Sequence, residues 1–202
     1  PKVGDHLPLT MLDEPLLMVR SDADTMRVLS GVCQHRGHPM VGGLTERPDD
    51  APCLNAKRLV CPYHNWTYAL DGSLLGAPDM RQTCPLPELR SRIRLPEIRS
   101  EIFHGLVFIT FDDNAPALAP GLAKVDAELR TYPMAGLVPG QHHSQRDLKW
   151  NWKLHHENAL EPYHTSFVHR DYHDAVPSSL TSFVPFEDGD RAVMRQTGFA
   201  EG

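Results

Sequence analysis

The sequence contains no apolar run near the 18 or so residues that a membrane-spanning helix needs, and no signal-peptide pattern. A basic excess is also missing: 20 Lys and Arg face 26 Asp and Glu, a formal net charge of −6. That balance leaves no electrostatic footprint for nucleic acid or an anionic membrane. Cysteine is scarce, with Cys33, Cys53, Cys61 and Cys84 in 202 residues. So few thiols do not make a disulfide-stapled miniprotein, and metal binding in a reducing compartment, hence a cytoplasmic location, is the better reading. Internal repeats and low-complexity tracts are absent. What remains, 41% hydrophobic and 23% charged residues, is ordinary for a globular protein with an adequate core. The chain opens on Pro1 and closes on Phe199-Ala200-Glu201-Gly202, so both ends are expected to be cut.

The first half reads as short strands between turns. Pro15–Arg20 and Met26–Leu29 flank Ser21–Asp24 as a hairpin, and Trp66–Leu70 and Ser73–Leu75 flank Asp71-Gly72, a strong hairpin signal. Gly105–Phe111 is β-rich throughout and predicts a buried strand. Residues 1–113 therefore form an expected all-β domain, ending at the turn-rich Asp112–Pro116. Residues 114–202 have mixed character. Leu118–Tyr132 is helical in pattern, Gln141–Trp150 strand-like, and WKLHHENALEPYHTSFVH from Trp152 helical, with Pro162 limiting or kinking it.

Two short stretches carry unusual chemistry. GVCQHRGHPM spans Gly31 to Met40, and CPYHNW spans Cys61 to Trp66. Cys33, His35, Cys61 and His64 thus supply two thiolates and two imidazoles, one of each per loop. One tetrahedral zinc could use such a set. A [2Fe–2S] centre of the Rieske type needs it, with two cysteines on one iron and two histidines on the other. Neutral imidazoles in place of two thiolates raise the potential to roughly −150 to +300 mV, against about −400 mV for plant-type ferredoxins.

CQHRGHP followed by CPYHNW and a DG hairpin resembles the Rieske domain of bacterial ring-hydroxylating oxygenases. The resemblance implies that Cys33, His35, Cys61 and His64 bind the cluster. This chain departs from the family in two places. The gap from His35 to Cys61 is longer by several residues, within TERPDDAPCLNAKR, which reads as a surface loop, and Asn65 stands where glycine is more common. Cys53 and Cys84 read as ordinary free cysteines.

Asn151-Trp152-Lys153, Glu157-Asn158, Glu161-Pro162-Tyr163-His164 and His169 resemble the start of the catalytic domain of the same family. The resemblance implies that His164 and His169 bind a mononuclear Fe(II), completed by a carboxylate beyond residue 202, in a facial triad. Asp171 and Asp174 lie too close to the histidines to be that carboxylate. Glu161 stands where most members have aspartate, and the resemblance makes it the bridge that carries electrons between subunits. Glutamate here is shared with the branch that oxidises quaternary ammonium and other N-methyl compounds.

At about 100° per residue, Glu161 and His164 share a helix face roughly 60° wide, whereas His164 and His169 are about 140° apart. A break or π-bulge between them is therefore predicted. On a regular helix His169 would instead pair with His173. His142, His143, His155 and His156 read as solvated or structural.

The implied fold is α+β: an all-β Rieske domain at 1–113, then the beginning of a helix-grip-like catalytic domain at 114–202, incomplete at its C-terminus. The implied function is that of a terminal oxygenase α subunit. It would take electrons from an NAD(P)H-dependent reductase or ferredoxin and use O2 to dihydroxylate, monohydroxylate or oxidatively demethylate a small organic substrate. A homotrimer or an α3β3 assembly is implied. The alternative is a Rieske-type ferredoxin that only carries electrons.

Overall fold

The computed structural model describes residues 2–40, 53–137, 148–185 and 192–196. The chain divides into two compact units, Pro1–His142 and His143–Gly202. Among the described residues no helix is long and apolar enough to cross a membrane.

The first unit is built on a six-stranded antiparallel sheet. In chain order its strands are β1 (Asp5–Met11), β2 (Glu14–Arg20), β3 (Met26–Ser30), β4 (Leu54–Asn55), β8 (Glu97–Phe103) and β9 (Leu106–Thr110); across the sheet they run β4-β1-β2-β3-β8-β9. A second sheet of three short strands holds β5 (Leu59–Val60), β6 (Thr67–Tyr68) and β7 (Leu74–Gly76). Both expected hairpins form. β2 and β3 pair through Leu17↔Leu29 and Val19↔Arg27, and β6 and β7 turn at Asp71-Gly72, where Gly72 takes φ +86°. A Cβ at Gly72 would also lie 3.0 Å from the Leu95 carbonyl oxygen, so both turn and packing require glycine.

Two expectations for this unit change. β9 is not buried: it lies at the sheet edge, and Leu106 and Phe108 are 48% and 36% exposed. An apolar run fixes a strand but not its place in the sheet, and an edge strand has one neighbour fewer to cover it. A helix, α1 (Leu86–Arg92), also interrupts the strand-built unit, with a proline in its first turn where the missing N–H costs nothing. Leu89 of α1 joins Leu17, Val19, Leu29, Leu59, Trp66, Tyr68, Leu74 and Leu95 in the core, together with Cys33 and Cys61. Beyond β9 the Leu118–Tyr132 helical pattern appears as two pieces, α2 (Leu118–Gly121) and α3 (Ala123–Leu129).

The second unit contains α4 (Trp152–Leu160), α5 (Thr165–Val168), α6 (Arg170–Ala175) and a hairpin of β10 (Thr181–Pro185) and β11 (Ala192–Gln196). Asn151 caps α4, its side-chain oxygen accepting from the Lys153 amide at 3.0 Å. The helix stops at Leu160, one residue before Glu161-Pro162, because the residue preceding a proline is pushed out of the helical region. Most of the strand expected at Gln141–Trp150, His142 and His143 with it, lies outside the described residues, as does most of the surface loop expected before Lys57.

Candidate metal centres

The first cluster loop follows β3 and the second joins β5 to β6. Their backbones are built alike. The Cys33 amide donates to the His38 carbonyl at 2.9 Å, and Gly37 donates back to Cys33 at 3.0 Å. In the second loop Cys61 donates to Trp66 at 2.8 Å, and Asn65 donates back to Cys61 at 2.9 Å. Four residues after each cysteine the chain turns left-handed, at Gly37 with φ +70° and at Asn65 with φ +55°. Asn65 therefore does the work of a glycine, since asparagine is the side chain that best tolerates this conformation.

These repeated turns sort the side chains by depth. Cys33 and Cys61 are 2% and 1% exposed, whereas His35 is half-buried and His64 is exposed. The imidazoles stand together, with ring centroids 4.7 Å apart at 70°. His35 stacks flat on Trp66, at 4.7 Å and 1°, and Tyr63 covers His64 at 3.8 Å.

Burial pushes the Cys33 thiol up; a hydrogen bond from Tyr68 and the His35 amide pull it back, and the Cys61 thiol raises it again. The Tyr68 hydroxyl lies 3.4 Å from Cys33 Sγ and accepts from the Gln34 amide at 3.2 Å. Since an amide can only donate, the phenolic hydrogen is free to point at sulfur. Burial, first of all, pushes Tyr68 well above the ordinary phenol range, so it stays a donor.

The donor set fits a Rieske cluster. His35 Nδ1 is buried without a hydrogen-bond partner among protein atoms, which suits a ligating nitrogen. Burial, and then the neighbouring His64 and Arg36, lower the His35 pKa and favour the neutral ring that ligation requires. Among the described residues no three His, Cys, Asp or Glu side chains gather closely enough to hold one ion. A dinuclear group with two protein ligands on each iron asks for no such gathering.

In the second unit, the expected break falls at His169 itself, which ends α5 and begins α6 with φ −119° and ψ 58°. Glu161 and His164 do meet, through a turn rather than along a helix face, because α4 has already ended. One Glu161 oxygen accepts from the His164 amide at 2.9 Å and the other from His164 Nδ1 at 2.9 Å. The bond from the His164 ring holds the Glu161 carboxyl below the usual range. With its Nδ1 proton on a carboxylate, His164 presents Nε2, the arrangement that orients a metal-binding imidazole.

The His164 and His169 ring centroids are 5.4 Å apart at 76°. Metal–nitrogen distances of about 2.1 Å place two rings on one ion with centroids roughly 4.5–5.5 Å apart, so the pair fits a shared iron. Asn158, Glu161, both histidines and Tyr172 line a cavity of about 380 Å³.

His173 has no carboxylate on its ring among the contacts of the described residues. Its Nδ1 lies 3.3 Å from the Ser178 amide and 3.3 Å from the Thr165 hydroxyl. His155 and His156 are exposed. Cys53 and Cys84 are free thiols.

Tyr68 carries a role that sequence reasoning did not give it. Alternation along Trp66-Thr67-Tyr68 marks Tyr68 as inward-facing, but nothing in the sequence names Cys33 as its partner.

Comparison with known proteins places these residues in two matched stretches. Residues 2–97 match the Rieske [2Fe-2S] domain family and residues 136–201 the ring hydroxylating alpha subunit (catalytic domain) family. The glycine betaine monooxygenase oxygenase subunit of Chromohalobacter salexigens is 32% identical over 195 residues, which cover 94% of this chain and 38% of that one. The carnitine monooxygenase oxygenase subunit of Escherichia coli is 28% identical over 174 residues, 86% of this chain and 44% of that one. The chain thus spans about two fifths of the length of these curated relatives. A crystal structure of a quaternary ammonium Rieske monooxygenase with an inhibitor superposes with TM-score 0.82 at 23% identity, over 99% of this chain and 52% of that one. Naphthalene 1,2-dioxygenase with bound indole gives 0.68 at 27% identity, over 85% and 37%. The paired loops fall in the first matched stretch and the Glu161–His169 turn in the second, and the chain accordingly belongs to the Rieske oxygenases, a Rieske [2Fe–2S] domain leading into part of a ring-hydroxylating α-subunit catalytic domain.

Proposed function

We propose that this chain is the electron-receiving and iron-binding part of a Rieske oxygenase component acting on a small N-methylated, quaternary ammonium substrate. The observation that carries the reading is the co-occurrence of two histidine pairs in one chain, His35 with His64 and His164 with His169. An electron carrier has no use for the second pair.

In this reading Cys33 and Cys61 would hold one iron of the cluster, and His35 and His64 the other. Residues 1–113 are the Rieske domain and 114–202 the catalytic part. The thiols are buried and the His64 ring is exposed, so the histidine edge is the side at which electrons enter and leave. His164 and His169 hold the mononuclear Fe(II), which when bound supplies O2 activation. Glu161 keeps the Nδ1 proton of His164 and, as an ionised carboxylate, can also accept from an exposed imidazole of a second copy. That arrangement suits a homotrimer or α3β3 assembly in the cytoplasm, served by an NAD(P)H-dependent reductase or a ferredoxin. The substrate class rests on the glutamate at 161 and on the glycine betaine and carnitine monooxygenases among the relatives.

Two variants test this. His164→Ala should abolish mononuclear iron binding and leave the cluster spectrum intact. Glu161→Gln should keep a reducible cluster and bound iron while single-turnover product formation becomes very slow. Oxygenation surviving His164→Ala, or a wild-type single-turnover rate for Glu161→Gln, would overturn the assignment.

A further inference from the structure

His35 and the indole that covers it come from different loops, the first following β3 and the second joining β5 to β6. Trp66 is 2% exposed and lies flat against His35, with ring centroids 4.7 Å apart and planes 1° from parallel. Its carbonyl accepts from the Cys61 amide at 2.8 Å, which ties the residue carrying the indole to the thiol end of its own loop. The indole Nε1 is buried with no partner among protein atoms, and so is His35 Nδ1. Neither nitrogen fixes its ring through a protein hydrogen bond, which leaves the contact of the two faces to align them. His64 meets His35 edge-on, at 4.7 Å and 70°. His64 itself has weaker support: Tyr63, which covers it at 3.8 Å, is tilted by 35° and 57% exposed.

We propose that Trp66 is a positioning residue for the cluster: from the second loop it holds the ring plane of the first loop's His35, so that the imidazole is already turned for ligation through Nδ1. The inference rests on the assignment of His35 as a cluster ligand. The physical need follows from the ring itself. An imidazole turns about its Cβ–Cγ bond over a broad, shallow profile, so the backbone alone does not choose the direction of Nδ1. A flat buried wall does choose it, as fixed partners of ligating histidines do in other metal sites. The wall has a firm backing, because Trp66 belongs to the buried core with Leu59, Tyr68 and Leu74. The two imidazoles are therefore unequal, one held flat and the other covered by a tilted, exposed ring.

The test uses the holoprotein. Pulsed EPR of the reduced cluster reads one nitrogen coupling per ligating imidazole, and each coupling depends on how its ring is turned about the iron–nitrogen bond. Trp66→Leu should change one of the two couplings, leave the other as in the wild type, and speed loss of the cluster to a chelator about 10-fold or more. Trp66→Phe keeps a flat face and should restore most of both. If Trp66→Leu does not fold by circular dichroism, Trp66→Met, which fills the space without a flat face, gives the same reading. Leu95→Ala is the control, as buried in the same core but part of neither loop. It should lower thermal stability and leave both couplings unchanged. Couplings that stay unchanged or move alike in Trp66→Leu, a Trp66→Phe variant no better than Trp66→Leu, or the same change produced by Leu95→Ala would refute the clamp. A wild-type cluster without two nitrogen couplings would refute the ligand assignment instead.

Discussion

Replacing Tyr68 by phenylalanine removes a single oxygen next to the cluster and nothing else. Tyr68 is fully buried, and its hydroxyl accepts from Gln34 and points at Cys33 Sγ, 3.4 Å away. A hydrogen bond onto a charged acceptor contributes about 1.5–3 kcal/mol. Only the part that grows when the cluster gains an electron shifts the potential, and about a third of that energy is on the order of 0.5–1 kcal/mol. For a one-electron couple about 59 mV corresponds to 1.4 kcal/mol, so Tyr68→Phe should lower the midpoint by roughly 20–40 mV. Burial keeps the phenol protonated above its ordinary range, so the difference should persist on the alkaline side of neutrality. The variant also leaves the part-buried Gln34 backbone amide without its acceptor, which should cost about 1 kcal/mol of stability. The assay is a redox titration at fixed pH, followed by EPR or circular dichroism, with thermal unfolding alongside. A midpoint equal to that of the wild type, or a higher one, would show that the hydroxyl does not bond to the sulfur.

Asn65→Gly should leave stability unchanged or slightly raised, while Asn65→Val should cost about 1–2 kcal/mol, because φ +55° is accessible to glycine and strained for a β-branched residue; thermal unfolding of the loaded protein measures both. Asp71 accepts from the Ser73 amide at 2.9 Å and the Ser73 hydroxyl at 2.7 Å, and the amide bond is the first cause of its lowered pKa. Its folded value thus lies below an unfolded value of about 3.9, so its contribution is complete above that pH and is lost as pH falls through the folded value. Asp71→Asn should therefore flatten the acid limb of the stability curve and leave the limb above neutrality unchanged. A variant curve parallel to the wild type below pH 4, measured by urea unfolding, would contradict this.

Much of the candidate site is legible in the chain. The candidate ligand pairs can be read because metal chemistry demands particular side chains, and short loops keep them close in sequence. The break between His164 and His169 follows from helical angle alone, although its position does not: periodicity shows that both rings cannot share a straight helix, and the local backbone then breaks at His169. The choice between His169–His173 and His164–His169 was beyond periodicity. The structure adds that His164 carries a carboxylate on Nδ1 and stands with its ring 5.4 Å from that of His169. The exposure of β9 was illegible for a related reason, since the strand's edge position depends on pairing between distant segments.

The sequence by itself determined the hairpins and the candidate donors, because these depend on side-chain identity and on spacings of a few residues. Only the tertiary structure decided that the thiols face inward and the imidazoles outward, that Asn65 occupies a glycine conformation, and that Tyr68 reaches Cys33 across 35 residues. Burial and hydrogen-bond partners are properties of the packed chain, and short-range sequence pattern carries no record of what lies across the core.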